Sequence, residues 1–571
     1  MCSHASRNMN FRRKEKKAAG LEKTALELSD AGKYSYAALC ALSLNELFSS
    51  EWDMPFSKKC SSEFIERLGL PHQVQETMNC FLTGCTDQSY QAYAEMLLAE
   101  PSVQTNPIVV VQDLILFAIK TGQYDARSRV LVMHIGSLLG APRALIKQIE
   151  EDLGHSLLVA ARQKSMHDSV DGGLTEEQEE LSAKKKRFRR FKKIALVSLA
   201  AVGGGALVGL TGGLAAPFIG VGLGAILGTG AVTVFSTVAA AAIIGSLFGL
   251  AGAGLTGYRM SRRVGDIEEF EFGCLSSPEM EQQLHIAIAI SGWLDEGDAN
   301  FSFPWRSLRS SKEQYFLKYE SQYLLELGNA MNILVKAAMS TAIQHALKFT
   351  ILRGLLAAIA WPTTLISLSN IIDNPWGTCL RRSAQVGRHL AEVLLSRHHG
   401  GRPVTLIGFS LGARVVYYCL RGLIQDAIML GAPVTGGSTD WEDISTVVAG
   451  RVINGYCKTD WLLKFLYRTT NAQVTIAGLN EITCKNPRLK NIDLTDLVAG
   501  HMEYASNIDM LLKVVGVRTA EPEVLHLKKC HSEVALGQDE KLSPILRRGQ
   551  SLPDILDQVD DSEIAQEASE A

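Results

Sequence analysis

The sequence predicts an α/β protein built on a doubly wound, mostly parallel sheet, preceded by an α-helical domain and a glycine-rich transmembrane hairpin. Three observations carry the prediction. Apolar strand-like runs alternate with helical stretches between residues 264 and 515, the pattern of βαβ units. Apolar residues recur at helical spacing through residues 1–165. No charged residue occurs from Ile194 to Tyr258, room for two membrane spans of about 20 residues each.

At 571 residues the chain exceeds what one core organises, and its net charge of -3 gives no general attraction to nucleic acid, which is not expected as a partner. Eleven cysteines without a Cys-x-x-Cys pair read as reduced thiols, not as a disulfide framework or zinc site. No cofactor or metal is expected. The basic N-terminus (Arg12, Arg13, Lys14, Lys16, Lys17) lacks the apolar core of a signal peptide.

In the helical domain, residues 1–165, Leu21, Ala25 and Leu28 lie at helical spacing, and Tyr36 to Leu47 continue after a break at Asp30 to Gly32. Ser62–Leu68, Val74–Leu82, Tyr90–Leu98, Val109–Thr121 and Ala126–Leu139 follow. Asp87 and Ser89 are N-cap candidates and Gly122 a stop signal. His134 and His155 read as structural.

The linker, residues 166–193, is first acidic and then strongly basic. Lys184, Lys185, Lys186, Arg187, Arg189, Arg190, Lys192 and Lys193 surround Phe188 and Phe191. Next to a membrane span such a cluster meets anionic headgroups, so membrane lipids are expected partners. Arg259, Arg262 and Arg263 flank the far end of the hairpin, residues 194–258. Positive charge on both flanks predicts a multi-pass protein with both termini and the sheet domain cytosolic. Gly205/Gly209, Gly220/Gly224/Gly228 and Gly245/Gly249 would let helix backbones approach closely in lipid. The alternative is a buried glycine-rich hairpin within the protein core.

The α/β domain, residues 264–515, opens with a strand at Leu284–Ile290. A short helix near Trp305–Leu308, a strand at Glu313–Tyr319 and a long helix from Gln322 to Ala360 follow. Gly354–Leu368 is apolar, holds Pro362 and suits a lid. Asn374 and Pro375 look like the start of a helix running to about Arg397. Val404–Gly408 is a buried strand, and Gly408-Phe409-Ser410-Leu411-Gly412 leads straight into a helical run from Arg414 to Leu420. Strand, sharp turn and helix are the context of a nucleophile elbow, which makes the expected sheet α/β-hydrolase-like. Only about six residues then precede the next strand, Ala427–Leu430, a short crossover. Further strands are expected at Arg451–Tyr456 and Gln473–Ala477.

A serine hydroxyl needs a base and a group to orient that base. Three histidines follow Ser410, and His501 alone lies in a loop after the strands rather than in the polar tail with His526 and His531. Asp460, four residues past a strand, is the expected orienting carboxylate, with a plain N-cap of Trp461–Leu466 as the alternative reading. Asp440, Glu442 and Asp443 are alternatives. The Leu411 N–H is the expected first oxyanion donor, with the second near Gly292 or Trp293.

The chain resembles the transmembrane and coiled-coil domain-containing protein 4 family. The likeness rests on Glu269–Gly273, Ile290-Ser291-Gly292-Trp293, Asn374–Gly377, Thr405–Arg414, Leu430–Val434, Arg451–Trp461 and Gly500-His501. It implies an α/β-hydrolase-like domain with a membrane hairpin and the set Ser410, Asp460, His501, without supplying a substrate. The tail, residues 516–571, reads as disordered. Within it, Arg548 and Pro553 frame Ser551 as a phosphosite for a phosphoserine-binding adaptor. The expected function is a membrane-anchored serine hydrolase acting on an ester or thioester, most plausibly a lipid. A catalytically silent hydrolase-fold scaffold or trafficking adaptor is the alternative. Passage of lipid or ions through the glycine-rich segment rests on glycine spacing alone.

Overall fold

A computed structural model describes residues 26–85, 89–167, 244–248, 255, 267–275, 282–295, 300–308, 313–344, 366–367, 369–467 and 475–519, all within the compact unit Met1–Glu521. The basic cluster Lys184–Lys193, most of the expected hairpin and lid, and Ser551 lie outside them.

The N-terminal part is a layer of helices: α1 (Asp30–Leu47), α2 (Met54–Leu68), α3 (Gln73–Leu82), α4 (Tyr90–Leu98), α5 (Pro101–Gln104), α6 (Ile108–Ile119), α7 (Ala126–Leu138) and α8 (Arg143–His167). Ser29, Ser89 and Asp125 cap α1, α4 and α7 by accepting from Gly32 N, Gln91 N and Arg127 N. The break expected at Asp30–Gly32 is therefore a helix start. Ser29 supplies the cap, and Gly32, with its N–H spent on Ser29, falls in the first turn. Tyr36, Phe64 and Phe117 pack edge-on through the centre of this layer.

A mixed α/β unit follows. Its seven-stranded sheet comprises β1 (Phe270–Cys274), β2 (Ile286–Ile290), β3 (Gln314–Tyr319), β4 (Val404–Phe409), β5 (Asp426–Leu430), β6 (Val452–Tyr456) and β7 (Leu489–Asp493). The order is β1-β3-β2-β4-β5-β6-β7, with β1 antiparallel to β3 and every other pairing parallel. β2, β4 and β6 are buried at every residue, as largely apolar runs in a covered parallel sheet should be. The helices are α9 (Ser321–Gln344), α10 (Ser369–Leu395), α11 (Leu411–Cys419), α12 (Ser438–Thr446), α13 (Trp461–Leu466), α14 (Glu503–Ser506) and α15 (Ile508–Val514). The short crossover after α11 closes without difficulty, because Gln425 N already donates to Val404 O, 2.8 Å, before β5 begins.

Three expectations need correction. The last strand is Leu489–Asp493; of Gln473–Ala477, the described residues contribute only an isolated bridge from Ile476 to Thr435. The helix expected to start at Asn374 starts at Ser369 and carries Pro375 inside it. Thirdly, Ile244, Leu247 and Phe248, assigned to the membrane hairpin, are buried in the core of the helical layer, and Leu255 is buried in that of the sheet unit. Gly401 N donates to Ser246 O and Leu247 O, both 3.1 Å, and the Arg402 guanidinium lies 5.2 Å from the Phe248 ring. For these residues protein, not lipid, provides the apolar surroundings. No helix among the described residues is long and apolar enough to cross a membrane.

The helical layer meets residues that immediately precede the strands. Tyr124 N donates to Gly401 O, 2.6 Å, just before β4. Arg488, one residue before β7, donates to Leu47 O and to Asp53. Gly154 packs on Gln283 and Leu284, just before β2. The layer therefore covers the edge of the sheet where the parallel strands begin. The edge where they end is left for other groups, which positions the site.

Candidate active site

Ser410, Asp460 and His501 each follow a parallel strand: β4, β6 and β7. Ser410 comes directly after Phe409, with φ 52° and ψ -124°, a left-handed conformation costly for a residue with a side chain. Its amide donates to Leu430 O at 2.8 Å, and its carbonyl accepts from Arg414 N at 3.1 Å to open α11. The flanking glycines permit this turn. A Cβ on Gly412 would lie 2.0 Å from Ile290 O, and one on Gly408 2.5 Å from the Gly412 carbonyl. Local sequence thus forces the hydroxyl to the end of the sheet.

The three side chains form one hydrogen-bonded chain. Ser410 Oγ is 2.7 Å from His501 Nε2, and His501 Nδ1 is 2.6 Å from Asp460 Oδ2. The second Asp460 oxygen accepts from Leu463 N at 2.9 Å. Asp460 thus uses one oxygen to cap α13 and the other to bond the imidazole. Asp440, Glu442 and Asp443 lie in α12 and make none of these bonds. Ser410 and His501 are each 1% exposed and Asp460 0%.

Gly292 and Trp293 also reach this place. A Cβ on Gly292 would sit 2.6 Å from Ser410 Cβ and 2.8 Å from Leu411 N, so only glycine lets the loop after β2 lie on the elbow. Leu411, first residue of α11, has no intrahelical acceptor for its N–H. The Trp293 ring stacks, tilted, 5.5 Å from the His501 ring and meets Phe409 edge-on at 4.8 Å.

Several supporting residues escaped the reading of the sequence. Ser291 Oγ accepts from Trp305 Nε1 at 2.9 Å and its carbonyl from Tyr319 Oη at 2.8 Å, which fixes the loop carrying Gly292. Tyr504 packs 5.7 Å from His501, and burial, aided by the Asp460 charge, pushes its phenol well above the ordinary value. Its position three residues after His501 was the available signal. Among the described residues no cluster of His, Cys, Asp and Glu could hold a metal ion.

Comparison with known proteins now bears on this geometry. A family model described as a protein of unknown function, DUF726, matches residues 189–518, more than half of the chain and all of the strands. The chain belongs to the DUF726 family. This DUF726 member is 40% identical over 545 residues to an uncharacterized membrane protein of Caenorhabditis elegans, covering 91% of this chain and 85% of the relative. A rice relative, named transmembrane and coiled-coil domain-containing protein STS1, is 36% identical over 72% of this chain and 64% of its own length. A Saccharomyces cerevisiae relative named probable lipase MIL1 is 30% identical over 76% of this chain and 40% of its own length. The chain thus spans less than two thirds of the rice and yeast proteins. No solved structure matches it significantly.

Proposed function

We propose that this DUF726 member is a membrane-associated serine hydrolase of α/β-hydrolase-like fold, acting on a carboxylic ester or thioester of a lipid. One observation carries the reading: a strained serine at the end of a central strand, linked through His501 to Asp460. Ser410 Oγ attacks the substrate carbonyl while His501 Nε2 takes its proton, and Asp460 holds the imidazole and balances its charge. The oxyanion receives the Leu411 N–H and a second N–H from Gly292 or Trp293. His501 then protonates the leaving alcohol or thiol, and water releases the acyl group by the same route.

The yeast relative's name supports a lipid ester as substrate, and the relatives named as membrane proteins support a membrane setting. So does the resemblance to the transmembrane and coiled-coil domain-containing protein 4 family. In this reading residues 194–243 and the cluster Lys184–Lys193 bind the bilayer with the sheet unit on its cytosolic side. Extraction of the chain from membranes by alkaline carbonate would exclude that anchor.

Hydrolysis of p-nitrophenyl acyl esters by purified protein tests the activity. Turnover by wild type and none by Ser410→Ala is expected; equal turnover overturns the assignment. The near-complete burial of Ser410 favours one second reading, a catalytically silent scaffold, under which the Ser410→Ala protein rescues a loss-of-function phenotype fully.

A further inference from the structure

A cavity of about 540 Å³ lies between α7, α8 and the edge of the sheet where the parallel strands begin. It is opposite the Ser410 edge, separated from it by the length of a five-residue strand, roughly 16 Å. Three buried glutamines from before or at the start of three different strands line it: Gln283, Gln314 and Gln425. Each carries at least one buried amide atom without a hydrogen-bond partner. Buried polar atoms are rarely left unmatched, and three amides gathered around one void point to a ligand that matches them.

The charges lining the void are uneven. Glu150 pairs with Arg129 at 2.7 Å, Asp426 with Arg451 at 3.5 Å and Glu151 with Arg518 at 3.8 Å, which accounts for all three acids. Arg143 and the half-buried Lys147 are left with no hydrogen bond or ion pair among the described residues. Burial, with the neighbouring Arg129 charge, lowers the Lys147 ammonium below its ordinary value, and the Glu150 and Asp426 carboxylates offset this only in part. His285, lining the same void and hydrogen-bonded to Thr405, is held neutral by burial and by the surrounding cations. Met133 and Ile407 add an apolar wall.

We propose that this cavity is a second, non-catalytic binding site for a small phosphorylated polyol of the glycerol phosphate class. The phosphate faces Lys147 and Arg143, and the hydroxyls pair with the glutamine amides, which can both donate and accept. The volume is that of ordinary small-molecule sites. The same chemistry exists free, as glycerol 3-phosphate, and in a lipid, as lysophosphatidic acid whose chain would follow the apolar wall.

Isothermal titration calorimetry on the full chain tests this with glycerol 3-phosphate, monomeric lysophosphatidic acid and glycerol. Saturable binding of either phosphate and none of glycerol is expected; tighter binding of the lysolipid identifies the lipid source, tighter binding of the free ester the soluble one. Lys147→Ala and Gln425→Leu should each weaken binding by about tenfold or more. Thermal melts report whether each variant is folded, and Gln425→Leu leaves no unmatched amide of its own to destabilise the fold. Ser410→Ala should bind as wild type does. No binding by wild type, a hydrated void only, overturns the proposal. So does binding unchanged in both cavity variants, or binding lost in Ser410→Ala, which would move the ligand to the other edge.

Discussion

Asp460 is asked to do two things, and one substitution separates them. Its Oδ1 accepts from Leu463 N at 2.9 Å and its Oδ2 lies 2.6 Å from His501 Nδ1. In Asp460→Asn the amide oxygen keeps the cap, since Asn caps helices as well as Asp does, and stability should change by less than about 1 kcal/mol. The amide nitrogen then faces Nδ1, where it can only donate, and imposes the tautomer whose Nε2 carries the proton. That imidazole cannot accept the Ser410 proton. In serine-protease triads the equivalent change lowers kcat about 10⁴-fold, which corresponds to roughly 5 kcal/mol of barrier. Asp460→Ala removes the cap, about 1 kcal/mol, and leaves the Leu463 and His501 nitrogens buried and unpaired, about 1–3 kcal/mol more. The assay pairs the rate of fluorophosphonate labelling with urea denaturation for all three proteins. The expected pattern is Asn inactive but stable, and Ala inactive and destabilised by about 2–4 kcal/mol. Labelling of Asp460→Asn within about threefold of wild type would refute the role given to the carboxylate.

Other consequences follow from the same geometry. Ser410→Gly should abolish activity yet stabilise the protein by about 1 kcal/mol in urea denaturation, because glycine adopts φ 52° freely; a destabilised glycine variant would contradict the strain argument. Gly292→Ala would place a Cβ 2.4 Å from Phe409 O and 2.6 Å from Ser410 Cβ, so ester turnover should fall at least about 100-fold. Unchanged turnover would remove Gly292 from the site. Far from the site, Glu313 and Arg402 form a fully buried pair completed by Tyr315 Oη, Gln283 N and the His399 and Gln283 carbonyls. Glu313→Ala should cost about 3–5 kcal/mol by stranding the guanidinium, and a Glu313→Leu, Arg402→Met double variant should recover most of that, both read by urea denaturation.

Legibility in the sequence tracked burial. β2, β4, β5 and β6 are covered central strands, so they read as largely apolar runs, and Ser410, Asp460 and His501 follow strands in an order that sequence alone exposes. The edges did not read. β7, Leu-Lys-Asn-Ile-Asp, leaves most of its side chains exposed or half-exposed, and β1, Phe-Glu-Phe-Gly-Cys, is a short antiparallel edge strand. Neither offers a continuous apolar run, whereas Gln473–Ala477 is the more apolar stretch. Asp30 and Gly32 looked like a break because their side chains suit one, although Ser29 makes that point a beginning. The burial of Ile244, Leu247 and Phe248 depends on Gly401 and Arg402, more than 150 residues away. The polar cavity is equally hidden, because its three glutamines and Lys147 come from four separate parts of the chain.

The proposed activity requires Ser410 to be an activated nucleophile. Intact-mass and peptide mapping after treatment with a fluorophosphonate measures it most directly. One adduct is expected, on the peptide containing Ser410, absent from Ser410→Ala and slowed by Asp460→Asn. An unmodified wild-type chain, or an adduct elsewhere that persists in Ser410→Ala, would contradict it.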